Sequence, residues 1–199
     1  MTTNPMLPLP AKLRDELVDH FLCLSKEDLR LRFGHALALP SIVAYVDDID
    51  FDSDGVFGVL DGEVRLAGVA HVAMVRSNAE FGVSVLPAYR KRGIGSALFA
   101  RAVTFARNRQ VDALFVHFLA ENAAMLRIAR KARMRLARYG GEVDAWLDLA
   151  PGDAATFAEA CAQDQLALFD FTLKSQFLAA RTLMGALHEA SGGLAARWV

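Results

Sequence analysis

At 199 residues the chain has room for one sizeable domain, or for one of about 150 residues with an appendage, but not for two independent catalytic domains. With 54% hydrophobic and 23% charged residues it can bury a core, which excludes an intrinsically disordered chain. Lys and Arg total 22 against 23 for Asp and Glu, so no global field exists to hold nucleic acid or an anionic membrane, and any basic site must be local.

Along the chain, Pro5, Pro8 and Pro10 crowd the opening, which reads as an irregular tether. Over residues 11–24 the apolar Leu13, Leu17, Phe21 and Leu24 recur at helical spacing. Ser25-Lys26-Glu27-Asp28 has the pattern of a capping box and predicts a second helix running to about Leu37. Residues 55–75 read as a hairpin turning at Asp61-Gly62, a dipeptide suited to a tight turn with positive φ. Residues 80–86 then alternate, with Phe81, Val83 and Val85 on one face and Glu80, Gly82 and Ser84 on the other, until Pro87 stops the strand.

Residues 94–107 are helical in pattern, 112–119 strand-like, and 122–134 helical again. Arg127, Arg130, Lys131, Arg133, Arg135 and Arg138 give a dense basic helix, read either as a solvated face or as one that docks an acidic protein. Gly140-Gly141 marks a turn, 143–149 is strand-like, and Pro151-Gly152 separates it from a helical tail over 153–190 carrying Phe157, Leu166, Phe169, Leu173, Phe177 and Leu187. The tail's apolar positions need a partner, either the domain's own sheet or a second copy of the chain in a homodimer. The order gives a mixed α/β fold, with a domain at 11–150 and a C-terminal helical extension at 151–199.

Cys23 and Cys161 lie far apart in no metal-ligand spacing, so neither a disulfide framework nor a metal site is expected, and a reducing cytosol fits. The opening Met1-Thr2-Thr3-Asn4-Pro5 lacks the basic and apolar regions of a leader, and no apolar run approaches a membrane span. A cytoplasmic protein without membrane partners is the expectation.

The stretch richest in chemistry is Val83-Ser84-Val85-Leu86-Pro87-Ala88-Tyr89-Arg90-Lys91-Arg92-Gly93-Ile94-Gly95-Ser96, a strand, a turn and a helix start. The first amides of a helix lack intrahelical partners and carry the positive end of its dipole, so left uncovered they form an anion site. Gly93 and Gly95 remove the side chains that would cover them, and Lys91 and Arg92 add charge suited to a diphosphate. Neither the Walker loop nor the three-glycine dinucleotide fingerprint is present. The same turn also reads as nothing more than a capped, solvated helix start.

Arg90-x-x-Gly93-x-Gly95 after a strand ending in Val-x-Val-x-Pro resembles the acetyl-CoA-binding motif of the GNAT superfamily of N-acetyltransferases. Asn122, opening the helix Ala123-Ala124-Met125-Leu126-Arg127, is similar to the start of that superfamily's second cofactor-contacting helix. Leu29-Arg30-Leu31-Arg32-Phe33 and Ala79-Glu80-Phe81 more weakly resemble the acetyltransferase domain of bacterial protein-lysine acetyltransferases.

The resemblance implies a splayed central sheet flanked by helices, with acetyl-CoA in the gap and no metal. Carried over by position, Val83, Ser84 and Val85 supply strand backbone to the pantetheine, Val85 N–H holds the thioester oxygen, and Lys91, Arg92, Gly93, Ile94, Gly95 and Ser96 hold the pyrophosphate. Asn122 contacts the pantetheine arm, and Arg127 or Arg130 lies near the phosphates. Holding that oxygen is a contribution often worth about 3 to 4 kcal/mol.

An acceptor ammonium must lose a proton before it attacks. Glu80 is the first candidate base, against a reading as a solvated strand residue, and His71 or His117 could relay the proton. Where many such enzymes place a Tyr acid this chain has Ala129, so Ser84, Tyr89 or Tyr139 would have to substitute. The activity implied is acetyl transfer to a primary amine, on protein lysine or a small molecule. The alternatives are a non-catalytic acyl-CoA-binding regulatory module and, through the arginine-rich segment, an RNA-associated acetyltransferase. Nucleic acid is disfavoured because no aromatic residues interleave with the arginines.

Overall fold

The computed structural model describes residues 4–195; residues 1–3, where the leader reading begins, and residues 196–199 of the expected extension lie outside the described residues. The prolines of the opening do not prevent a strand: β1 (Leu7–Pro8) pairs antiparallel with β2 (Gly55–Leu60) through Leu7↔Gly58 and Pro8↔Phe57. It is the sheet's edge, where a missing N–H costs no ladder bond.

α1 (Arg14–Leu22) buries Leu17, His20 and Phe21. The capping box of α2 (Lys26–Phe33) forms as expected, with the Ser25 hydroxyl accepting the Asp28 N–H at 3.1 Å. α2 ends at Phe33 rather than near Leu37, because Gly34 takes φ 81° and closes the last turn. Next comes α3 (Leu39–Asp47), a helix the sequence reading does not anticipate, with Pro40 in its first turn and Ile42 and Val46 buried one turn apart.

β2 and β3 (Leu66–Val75) form the expected hairpin, but its turn is not the tight one that Asp61-Gly62 suggests. Positive φ falls on Val64, and the Asp61 carboxylate accepts the Glu63 and Arg65 amides at 2.8 and 2.9 Å. β4 (Asn78–Val85), α4 (Ile94–Asn108), β5 (Ala113–Leu119) and α5 (Ala123–Lys131) follow, then β6 (Arg135–Tyr139) and β7 (Glu142–Asp148). The basic segment is therefore not one helix. Arg133 turns left-handed at φ 56° after the end of α5, and Arg135 and Arg138 lie on strand β6.

The seven strands run in the order β1-β2-β3-β4-β5-β7-β6, all neighbours antiparallel except β4 and β5. One face packs Leu98, Ala102 and Ala106 of α4 and Met125 and Ala129 of α5 against Val72, Phe81, Leu114 and Val116. The other packs α1, α2 and α3 through Leu17, Phe21, Leu29, Ile42 and Val46. This α+β mixed sheet with helices on both faces agrees with the expected fold class.

α6 (Ala154–Ala195) begins against α4, where Asn108 accepts the Thr156 hydroxyl at 2.7 Å, and crosses to β2, where Lys174 donates to the Leu60 carbonyl at 2.9 Å. On α6 itself Ala167 is buried, while residues 179–188 are exposed throughout. Among the described residues no helix is long and apolar enough to cross a membrane.

Candidate active site

β4 and β5 pair only at Asn78↔Ala113, Ala79↔Leu114 and Glu80↔Phe115, and then diverge. The Leu86 N–H bonds the Ala67 carbonyl at 2.9 Å, which fixes the alternation of the β3 to β4 ladder. That alternation turns the N–H of Val83 and Val85 away from β3 and into the gap, whereas the backbone of Ser84 faces Val69. The Val85 carbonyl accepts Nε of Arg90 at 3.0 Å, so its N–H is the group left for a ligand.

Beyond β4 the chain makes one 3-10 turn at Pro87–Tyr89 and enters α4 through two left-handed residues, Lys91 at φ 61° and Gly93 at φ 81°. Gly93 is the N-cap, supplies no side-chain cap, and has nothing within 4 Å of where a Cβ would stand. No acidic residue occupies the first turn of α4. Its first amides are therefore bare and the positive end of its dipole is uncompensated. Arg90 braces this loop with a 2.7 Å ion pair to Asp28 of the α2 cap.

A cleft of about 500 Å³ joins the bare helix start to the strand gap. Of the expected cofactor residues, Val83, Ser84, Val85, Lys91, Gly93, Ile94, Gly95, Ser96 and Asn122 line it. Arg92 is the exception: its guanidinium lies 5.5 Å over the Tyr89 ring. Arg127 also lines the cleft, while Arg130 does not. A diphosphate fits the donors on hand, which are helix amides, Lys91 and Arg127, with the one lining carboxylate, Asp28, already held by Arg90. Asn122 caps α5 by accepting the Met125 N–H at 3.0 Å and donates to the Leu31 carbonyl at 3.2 Å, tying α2 across the gap.

Beside Gly82 of β4, where Arg32 lies, His71, expected as a proton relay, joins Arg32 and two residues that sequence reasoning passed over, Tyr45 and Asp54, in a directed chain. The Asp54 carboxylate can only accept, so His71 Nε2–H donates to it at 2.9 Å. Nδ1 of His71 then accepts the Tyr45 hydroxyl at 2.7 Å, and the Tyr45 oxygen accepts Nη2–H of Arg32 at 2.9 Å. Burial pushes His71 below the ordinary histidine range against the pull of Asp54, and burial raises the Tyr45 hydroxyl against the pull of the Arg32 cation. Both groups are neutral at pH 7.

Glu80 lies at the last paired position before the gap and is exposed. Its carboxylate makes no hydrogen bond or ion pair among the described residues and does not line the cleft, but its charge acts on both Tyr45 and His71. His117 is bound to Asp144 at 2.7 Å, away from the cleft.

The substitutes for the absent tyrosine acid are all engaged elsewhere or distant from the cleft. The Tyr89 hydroxyl donates to Asp61 at 2.7 Å, and that bond to a carboxylate raises its pKa. Tyr139 is exposed on β6. The Ser84 hydroxyl donates to His20 at 2.8 Å. Ala129 itself is fully buried in the core. Cys23 and Cys161 are free and exposed, and among the described residues no cluster of three or more His, Cys, Asp or Glu side chains could hold a metal.

Residues 24–133 match the profile described as Acetyltransferase (GNAT) family. The fold is similar to that of the GNAT domain of PAT from S. lividans, with TM-score 0.62 and 21% identity over 72% of this chain and 89% of that one. It is also similar to ribosomal-protein-alanine N-acetyltransferase from Brucella melitensis, with TM-score 0.58 and 18% identity over 72% and 99%. A third similar structure is a GNAT superfamily phosphinothricin acetyltransferase from Sinorhizobium meliloti in complex with AcCoA, with TM-score 0.62 and 13% identity over 77% and 95%.

Proposed function

Because this chain belongs to the acetyltransferase (GNAT) family and is an acetyl-CoA-dependent N-acetyltransferase, we propose that it acetylates the primary amine of a protein lysine or a small molecule by direct attack. The observation that carries this reading is the single cleft that joins the bare start of α4 to the unpaired amides of β4. The coenzyme supplies an acetyl thioester. Lys91, Gly93, Ile94, Gly95, Ser96 and Arg127 hold its diphosphate, with Arg92 adding charge from the loop's outer side. Val83 and Val85 lend backbone to its arm, with Ser84 and Asn122 shaping the walls.

As the amine attacks, a C–N bond forms and the C–S bond breaks. Val85 N–H stabilises the charge that gathers on the carbonyl oxygen. Glu80 takes the amine proton directly or through water, a role supported by its open carboxyl group at the mouth of the gap. His71, through Tyr45, offers a second route, supported by the unbroken chain to Asp54. The departing thiolate takes its proton from solvent, tolerable for a leaving group whose reference pKa is about 8.5.

Residues 11–150 form the catalytic domain in this reading and 151–199 its extension. The exposed Leu183, Met184 and Leu187 on the free half of α6 support a second copy of the chain as its partner.

Calorimetry with acetyl-CoA on the wild type and on Gly93→Glu tests the assignment. Binding by the wild type and a loss of roughly 100-fold or more in the variant are expected, because a carboxylate would face the diphosphate. Equal affinity overturns the placement of the phosphates. Thiol release with an amine panel then separates turnover from binding alone.

A further inference from the structure

Arg32 is a cation without an anion. Its helix neighbour Arg30 is shared between Glu27 and Glu121, and Arg90 is held by Asp28, but among the described residues no carboxylate lies within ion-pair distance of Arg32. Its one hydrogen bond goes to a neutral hydroxyl, that of Tyr45, at 2.9 Å. The guanidinium is otherwise steadied by aromatic faces, 4.7 Å from the Phe33 centroid and 5.7 Å from that of Tyr45. The rest of its fork of N–H donors is left for the cleft that Arg32 lines.

The strand beneath is shaped for this arrangement. A Cβ at Gly82 would fall inside the Arg32 guanidinium, so the fork lies against β4 only because position 82 has no side chain. A half-buried, immobilised guanidinium with unspent donors is costly to keep unless something binds there, and its planar geometry matches a carboxylate.

The coenzyme diphosphate does not need this group, because the bare amides of α4 lie past the other end of β4, beyond Val85. Along the strand the order is Glu80, then Gly82 with Arg32 upon it, then the gap amides of Val83 and Val85. Glu80 and Gly82 stand about 7 Å apart along the backbone. A proton acceptor and an anion anchor at that separation suit the amine and the carboxylate of one small molecule.

We propose that Arg32 anchors a carboxylate of the acceptor, so that the substrates are amino carboxylates whose primary amine and carboxylate are a few bonds apart. This rests on the acetyltransferase reading above and narrows it. The reaction is unchanged: the amine nitrogen gains the acetyl group, its proton leaves to Glu80, and the carboxylate is a handle that takes no part in bond making.

The test is thiol release from acetyl-CoA with free amino acids and short ω-amino acids, each beside its carboxamide, using wild type, Arg32→Lys and Arg32→Gln. The wild type is expected to favour acids over amides by about 100-fold in kcat/KM. The lysine variant keeps part of that preference and the glutamine variant loses it, because its turnover of acids falls much further than its turnover of amides, while acetyl-CoA still binds. Acids and amides used alike, no acid used at all, or a glutamine variant that loses both equally would each overturn the carboxylate anchor while leaving acetyl transfer intact. Failure of the wild type to bind acetyl-CoA would instead remove the enzymatic reading on which the anchor depends.

Discussion

The hydroxyl of Ser84 donates to Nε2 of His20 across 2.8 Å, and Nδ1–H of the same ring donates to the Leu66 carbonyl at 2.8 Å, joining α1 to two adjacent strands from within the core. At 3% exposure the ring cannot be hydrated if it gains a proton, and burial pushes its pKa down to about 4, helped by the nearby Arg32 cation. Below pH 6.5 the unfolded chain binds a proton at this position that the folded chain refuses. Stability therefore falls as pH drops from about 6.5 towards 4, by about 3 kcal/mol from this group, and is unaffected by it above that window. Melting temperature followed against pH should decline over that range in the wild type. His20→Asn, which keeps a donor for Leu66 but does not titrate, should flatten the decline, and an unchanged slope would refute the assignment.

Two proton routes can be told apart by substitution. Glu80→Gln should lower kcat by 10²-fold or more, within the range of about 10² to 10⁴ typical of a lost general base, with little change in acetyl-CoA affinity. Tyr45→Phe cuts the chain between Arg32 and His71 and should lower kcat much less if Glu80 is the main acceptor. Steady-state kinetics showing the reverse order would move the base to the Tyr45 and His71 pair.

Gly82→Ala brings a methyl group against the end of a flexible side chain, not against backbone. Arg32 can swing aside, so the variant should melt within a few degrees of wild type, as expected for a change of about 1 kcal/mol or less. Turnover of amino carboxylates should fall further than that of their carboxamides, while acetyl-CoA still binds. A variant that turns over normally would show that the position of Arg32 does not matter to the reaction.

The outer half of α6 offers a test of assembly. Replacing Leu183, Met184 and Leu187, all exposed, with serine should convert a dimer to a monomer in sedimentation velocity and leave acetyl-CoA affinity unchanged. A wild type that sediments as a monomer at all concentrations removes the second copy as partner.

The cofactor side of the site was legible in the sequence because its signals are local: a proline stop, a short loop and a glycine at a helix start lie within a few residues of Val85, and most of them do line the cleft. The acceptor side was legible only as single residues, Glu80 and His71, because the partners of His71, namely Arg32, Tyr45 and Asp54, come from separate segments that only the fold brings together. A signal for Tyr45 did exist in the spacing of Ile42 and Val46 behind Pro40, but the segment is short and its N-cap, Ala38, has no capping side chain. The basic run misled for a related reason. A count of arginines has no periodicity of its own, and the left-handed Arg133 that separates α5 from β6 leaves no compositional mark.

Three residue pairs are all that stitch β4 to β5, so the sheet is one rung ladder short through its middle. Any extended molecule that hydrogen-bonds the backbone facing that opening takes the place of the absent strand, and its binding energy is added to the cohesion of the two half-sheets on either side. Occupancy should therefore slow amide hydrogen exchange not only at Val83 and Val85 but also in the neighbouring strands, a zippering that a ligand seated on the surface would leave untouched.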